Sequence, residues 1–200
     1  GQDNVAVGRA TLDANTTGAS NTAIGMQALS ENTTASNNTA VGRNAMLVNT
    51  TGTQNTAVGA FALEDNTTAN DNTAIGYTSL YKNTTGTSNT AVGLQSLFSN
   101  LTGNQNTAIG KDTLRDNTTA ANNTAVGFNA LLTNTTGTNN TAVGSLALDA
   151  ATTTANNTAI GYAALGAHTG TQCVAVGSEA LLVNTTGNNN TAVGHAALTD

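Results

Sequence analysis

The sequence predicts an all-β fold, a parallel β-solenoid of about twelve 17-residue rungs. The pentapeptide Asn-Thr-Ala-Val-Gly, or its variant with Ile before the glycine, recurs along the whole chain. Its glycines lie 17 residues apart nine times in succession from Gly8 to Gly161, then 16 apart to Gly177 and 17 apart to Gly194. A short fixed period is typical of a stacked array. Helical repeats are about twice as long, and Thr, Asn and Gly are poor helix formers.

Composition narrows the classes of function. Charged residues are 8%, aromatic residues 3%, and the net charge is -6 with five basic residues. Nucleic-acid binding needs clustered Lys and Arg, so nucleic acid is not expected as a partner. No apolar run reaches the 18 or more residues of a membrane span, so we expect no membrane insertion in this segment. We expect one repeat domain over residues 1–200, and because both ends cut a repeat close to its motif, a segment of a longer protein.

The first part of each rung predicts a short strand, here represented by residues 38–41. Side chains alternate between the faces of a strand, so Thr39 and Val41 share one face and Asn38 and Ala40 the other. The Thr position is Val in two rungs, at Val5 and Val174, and the Val position is only Val or Ile. We therefore expect Thr39 and Val41 to point inward. The outward alanines would then form a flat stripe suited to contact with another copy, which predicts a homo-oligomer.

A turn and a second apolar position follow the strand. The glycine that ends each strand, such as Gly42, suggests a positive φ or a close approach of neighbouring backbone. Two variable residues come next, then Ala45, and then an apolar anchor that is Met46 in this rung and Leu in the other eleven. We expect this anchor to point inward.

The remaining turn is rich in amides and hydroxyls, as in Asn49-Thr50-Thr51-Gly52. The chain contains 40 Thr and 30 Asn, and most recur at fixed places in the rung. Stacked rungs would place each Asn over its equivalent, so we expect hydrogen-bonded ladders like those of stacked sheets. Such ladders account for the uniformity of the repeat.

The motifs Asn4-Val5-Ala6-Val7-Gly8 and Asn21-Thr22-Ala23-Ile24-Gly25 resemble the head repeats of YadA-like trimeric autotransporter adhesins. Similar repeats occur in tail-fibre-like and surface proteins. The resemblance spans the whole chain, although the family repeat is nearer 14 residues. It implies a left-handed roll, a trimer, an extracellular location on a cell surface or virion tail fibre, and adhesion to a host surface, matrix protein or glycan.

Catalytic and cofactor sites are not expected, because a uniform array does not bring unlike residues together. We expect no enzyme activity, no cofactor and no metal. His168 and His195 are expected to face solvent from turns. Cys173 stands at the Asn position of a strand, in the one shortened rung, and is expected on the outward face.

Ligand binding, if present, should use the two variable residues after each glycine, since stacking fixes the others. The first of these positions holds basic or aromatic residues in several rungs, namely Arg9, Arg43, Tyr77, Lys111, Phe128 and Tyr162. The sequence thus predicts a rigid adhesive or structural extracellular segment. A surface filament without a ligand, formed by end-to-end contacts, and an ice-binding solenoid are the alternatives.

Overall fold

The computed structural model describes residues 1–199 and confirms the parallel β-solenoid. One sheet contains all twelve three-residue strands in chain order, and each strand pairs in parallel with its neighbours. The strands, β1 to β12, are Val5–Val7, Thr22–Ile24, Thr39–Val41, Thr56–Val58, Thr73–Ile75, Thr90–Val92, Thr107–Ile109, Thr124–Val126, Thr141–Val143, Thr158–Ile160, Val174–Val176 and Thr191–Val193. In residues 1–199 there is no helix, and so none long and apolar enough to cross a membrane.

Hydrogen bonds between rungs continue beyond the strands. The Met46 amide donates to the Ala62 carbonyl at 3.0 Å, and the Thr50 amide donates to the Thr67 carbonyl at 3.0 Å. The register is kept throughout, with each strand alanine beside the alanine of the next rung, as in Ala40 and Ala57. Each rung is therefore bonded to its neighbours over most of its circumference, which favours a stiff rod.

The prediction of which strand face points inward was wrong. Ala40 is fully buried and Asn38 nearly so, whereas Thr39 and Val41 are half-buried on the outer face. The same holds along the sheet, where the strand alanines from Ala23 to Ala192 are all buried. The interior is narrow and already holds the Leu anchors, so only a small side chain fits opposite them. The outward stripe thus consists of Thr with Val or Ile, and the alanines cannot form an interface between copies.

The Leu anchors form the core as predicted. Leu29, Met46, Leu97 and their equivalents are fully buried through most of the rod, and they pack against the strand alanines and a second set of small residues such as Ala45. At the first rung Leu12 is only partly buried. This thin apolar core is continuous from rung to rung.

Two ladders of buried asparagines complete the interior and confirm the predicted stacking. In one, Asn66 Nδ2 donates to Asn49 Oδ1 at 2.7 Å, and Asn49 Nδ2 donates to Asn32 Oδ1 at 3.2 Å. In the other, Asn38 Oδ1 accepts from the Asn55 backbone amide at 2.9 Å, and Asn38 Nδ2 donates to the Gly52 carbonyl at 2.8 Å. Buried polar groups need such partners. The threonine hydroxyls bond to backbone of the next rung, as Thr50 Oγ1 does to the Thr67 carbonyl at 3.0 Å.

The glycine that ends each strand meets both conditions that the sequence suggested. Gly42 has a φ of +137°, and a Cβ added there would lie 2.5 Å from the Gly59 carbonyl oxygen. The left-handed region and the contact with the next rung each exclude a side chain.

The shortened rung keeps the sheet in register but corrects two predictions. Thr158 still pairs with Val174, so the missing residue is absorbed in the turn. His168, expected in solvent, is fully buried at an Asn ladder position, where its Nδ1 lies 2.8 Å from the Asn184 carbonyl oxygen. Cys173, expected on the outer face, is also buried, because the strand Asn that it replaces points inward. His195 is exposed as predicted.

Candidate ligand-binding surface

All six residues of the predicted ligand stripe are exposed. They share the first position after the strand glycine, which lies outside the ladders and the core. The structure groups them only in part. Arg43 and Tyr77 both contact Phe61, whereas Lys111 lies over the Phe128 ring with its Nζ 5.6 Å from the ring centroid. Arg9 contacts the Met26 sulfur at 3.2 Å, and Tyr162 makes no aromatic or cation–π pair within residues 1–199.

A shallow groove of about 340 Å³ lies near the middle of the rod. We call it the aromatic groove, and its lining residues are Phe61, Tyr77, Thr78, Tyr81, Gln95 and Phe98. The chain has three Phe and three Tyr, so four of its six aromatic residues line this one groove. Its volume falls at the lower end of the range for small-molecule sites. None of the lining residues belongs to a strand.

The rings of the aromatic groove form two pairs. Phe61 and Tyr77 meet edge to face, with centroids 5.9 Å apart and planes at 87°. Tyr81 and Phe98 are stacked, with centroids 5.2 Å apart and planes at 5°. Both arrangements are favourable for aromatic side chains. The stacked pair follows from the repeat, because the two residues occupy the same place in adjacent rungs.

Charged side chains surround the groove. Arg43 lies over Phe61 at 5.2 Å and Lys82 lies over Phe98 at 5.3 Å, each measured to the ring centroid. Both basic residues are exposed, whereas Glu64 is only 8% exposed and accepts a hydrogen bond from Asn44 Nδ2 at 3.0 Å. Asp65 is half-buried next to Tyr81 and Lys82, so the exposed charges at the rim are positive and two carboxylates lie partly or wholly covered beside them.

The carboxylates next to the groove affect its titratable groups. Burial raises the pKa of the Tyr81 phenol, and the neighbouring charges of Glu64 and Asp65 raise it further. Burial also raises the pKa of Asp65, against the opposing attraction of Lys82. The Tyr81 hydroxyl is therefore a neutral hydrogen-bond donor at any physiological pH.

Sequence analysis named Tyr77 of the groove and Arg43 beside it, and its prediction that binding uses both variable positions covers Phe61, Thr78 and Gln95 without naming them, whereas Tyr81 and Phe98 were missed. Phe61, Thr78 and Gln95 occupy the second variable position after the glycine, and Tyr81 and Phe98 follow the Leu anchor. The usable signal was the 17-residue spacing of Tyr81 and Phe98, which places like rings on adjacent rungs. The period does not predict that the residue after the Leu anchor, such as Tyr81, lies close to the two variable residues after the glycine.

Other features of the described residues are weaker candidates for a binding site. The cavity lined by Leu181, Val183 and Leu198, with neighbouring turn residues, has about 360 Å³ and lies at the open edge of the last rung. Among residues 1–199, no three His, Cys, Asp or Glu side chains come together in a way that could hold a metal ion.

Similarity to known proteins gives no family assignment. Comparison with protein-family models, with curated proteins and with solved structures finds no match to this chain. The solenoid, its outer strand face and the aromatic groove are therefore the features that bear on function.

Proposed function

We propose that this chain is a rigid, homo-oligomeric extracellular segment, the head or stalk of an adhesin or of a tail-fibre-like protein. Its place would be a cell surface or a virion tail fibre, and its partners would be copies of itself and a host surface, matrix protein or glycan. The observation that carries the proposal is the apolar stripe on the outer strand face. The resemblance of the repeat to YadA-like heads supports the same conclusion.

The outer stripe is unusually apolar for a free surface. Each of the twelve strands ends in Val or Ile, and none of these side chains is buried. Eight are exposed, with exposed fractions of 37% to 71%: Val7, Ile24, Val58, Ile75, Ile109, Val143, Ile160 and Val193. A continuous exposed apolar patch marks an interaction site. β-branched side chains are stiff and lose little freedom when covered, so this stripe is well suited to contact the same stripe of other copies.

A symmetric rod would also make weak binding effective. Several copies of a surface site, held at fixed spacing on one assembly, bind a multivalent target with greater overall affinity than a single site. Stacked rungs bonded around most of their circumference provide the necessary rigidity. Adhesion does not require catalytic residues that meet in one pocket. It requires surface residues that can vary, and the variable residues of this chain lie outside the ladders.

The test is the molar mass of the chain in dilute solution, measured by light scattering. The monomer has a mass of 19.8 kDa. We expect three times that mass, independent of concentration. Mass that grows with concentration would instead favour the filament built by end-to-end contacts, and a monomer would contradict the proposed assembly.

A pair of variants locates the interface. Ile75→Asp combined with Val92→Asp places two charges on adjacent rungs of the outer stripe, and burying unpaired charges is costly. We expect this variant to be a monomer with an unchanged β-sheet circular dichroism spectrum. The matched control is Leu94→Asp, an exposed apolar residue outside the strands, which should leave the mass unchanged. An unchanged mass in the stripe variant would place the interface elsewhere, and equal loss of assembly in both variants would mean that added charge at any site, rather than at the stripe, breaks the assembly.

Ice binding is a second candidate, because the corrected strand orientation points a regular array of Thr and Val or Ile outward. The two functions compete for the same face, since a trimer built on the outer stripe would cover it. Thermal hysteresis of a purified monomer, lost on Thr90→Tyr and kept on Leu94→Tyr, would support ice binding. Absence of hysteresis would eliminate it.

A further inference from the structure

We propose that the aromatic groove binds the pyranose rings of an oligosaccharide that lies along the rod. This inference rests on the proposed adhesive function and names the chemical class of its ligand. It starts from the concentration of four of the chain's six aromatic residues around one groove, on three adjacent rungs.

The rings suit the faces of sugars. A pyranose ring presents a face of C–H groups, and such a face packs on an exposed aromatic ring, whose π face is electron-rich. Tyr77 is the exposed ring of the groove, and Tyr81 and Phe98 stack with planes 5° apart beside it, so that each covers one face of the other and presents its edge to the groove. Equivalent positions on adjacent rungs are about 4.8 Å apart, close to the length of one hexose unit in an extended chain. Successive sugars of one saccharide could therefore meet successive rungs.

The polar groups of the groove suit sugar hydroxyls. The Gln95 side-chain amide lines the groove and makes no hydrogen bond to another residue within the part of the chain that the structure describes. An amide offers both donors and an acceptor, which matches a pair of neighbouring hydroxyls. The Tyr77 side chain is 53% exposed, and its hydroxyl is a further partner at the rim.

The site is held in place before a ligand arrives. Thr78 Oγ1 donates to the Tyr77 carbonyl at 2.8 Å, and the Gln95 amide N–H donates to the Tyr77 carbonyl at 3.1 Å. Beside the groove, the buried Glu64 carboxylate is bonded to Asn44. The four rings are also already packed in two pairs, so little of their side-chain freedom is lost on binding, which helps a weak ligand.

The charges at the rim bear on the kind of sugar. Arg43 and Lys82 are exposed and lie against Phe61 and Phe98, two of the rings that line the groove. They would attract a saccharide that carries carboxylates, whereas Asp65 and the buried Glu64 beside the groove would repel it. Neutral and acidic saccharides share the pyranose ring that the groove recognises, so the experiment includes both.

The experiment is a titration of the full chain with cellohexaose and with hexagalacturonate, followed by tyrosine fluorescence. The chain has three Tyr and no Trp, and two of the three Tyr line the groove. We expect a saturable change with at least one of the two saccharides. Tighter binding of hexagalacturonate that weakens with added salt would assign the ligand to acidic sugars.

Variants decide whether the groove is the site. Phe98→Ala and Gln95→Ala should each weaken binding at least tenfold, and Gln95→Ala serves where Phe98→Ala impairs folding. The control is Phe128→Ala, which removes a more exposed aromatic residue outside the groove and should change affinity less than twofold.

Three results would overturn the proposal. These are the absence of any change with both saccharides, equal weakening by Phe128→Ala, and saturable binding of a proline-rich peptide without binding of either saccharide. The last is included because aromatic grooves also accept proline-rich segments. Light scattering on the same samples tests the assembly separately, so failure of saccharide binding does not count against the rod.

Discussion

Gly42→Ala is expected to lower the free energy of unfolding by about 3 kcal/mol or more, a large effect for a single methyl group. The residue has a φ of +137°, and its Cβ would lie 2.5 Å from the Gly59 carbonyl oxygen and 2.6 Å from the Gly59 carbonyl carbon. Relief requires the two rungs to separate, which stretches the bonds that hold them. Urea unfolding followed by circular dichroism measures the loss, and hydrogen exchange would show it first at rungs three and four.

Gly194→Ala separates the two causes of that loss. Gly194 has a similar φ of +130°, but the nearest atom to a Cβ there is the Ala197 Cβ at 3.9 Å. We expect this variant to carry the backbone strain alone and to lose less stability than Gly42→Ala. Equal losses would mean that the contact between rungs contributes nothing.

Asn89→Ala is expected to cost about 2 to 4 kcal/mol. Asn89 is fully buried, donates from Nδ2 to the Gly103 carbonyl at 2.8 Å, and accepts from the Asn106 amide at 3.0 Å. Alanine leaves that buried amide without a partner, and unsatisfied buried donors are costly. The measurement is again urea unfolding, with hydrogen exchange of the Asn106 amide as the local readout, which should become faster.

Asn190→Ala is the control for the ladder. It occupies the same ladder position in the rung of β12, is only half-buried, and within residues 1–199 its side chain makes no hydrogen bond to another rung. Its loss should stay below about 1 kcal/mol, the value of an ordinary single hydrogen bond. A loss as large as that of Asn89→Ala would show that the ladder's bonds between rungs are not the cause.

The period alone determined the architecture. Equal spacing of the strand glycines specifies stacked rungs, and the glycine, the Leu anchor and the two asparagines at constant places in the rung specify the turn, the core and the ladders. Each of these predictions was confirmed because it depends on a residue and its own equivalent one rung away, as with Asn49 and Asn66. Stacking converts a sequence repeat directly into a spatial contact.

Only the tertiary structure decided the orientation of side chains within a rung. Alternation correctly grouped Thr39 with Val41, but the choice of the inner face depends on the width of the interior, which residues elsewhere in the rung set. The Leu anchors fill that space, so alanine and asparagine point inward, and the same error misplaced Cys173. The prediction for His168 was wrong because the shortened rung lacks a residue after position 168 and not before it. His168 therefore occupies the buried position that an asparagine of the ladder holds in other rungs. Likewise the period aligns Phe61 with Gln95, but it does not encode the approach of Tyr81 to these two residues, which depends on how the rung closes on itself.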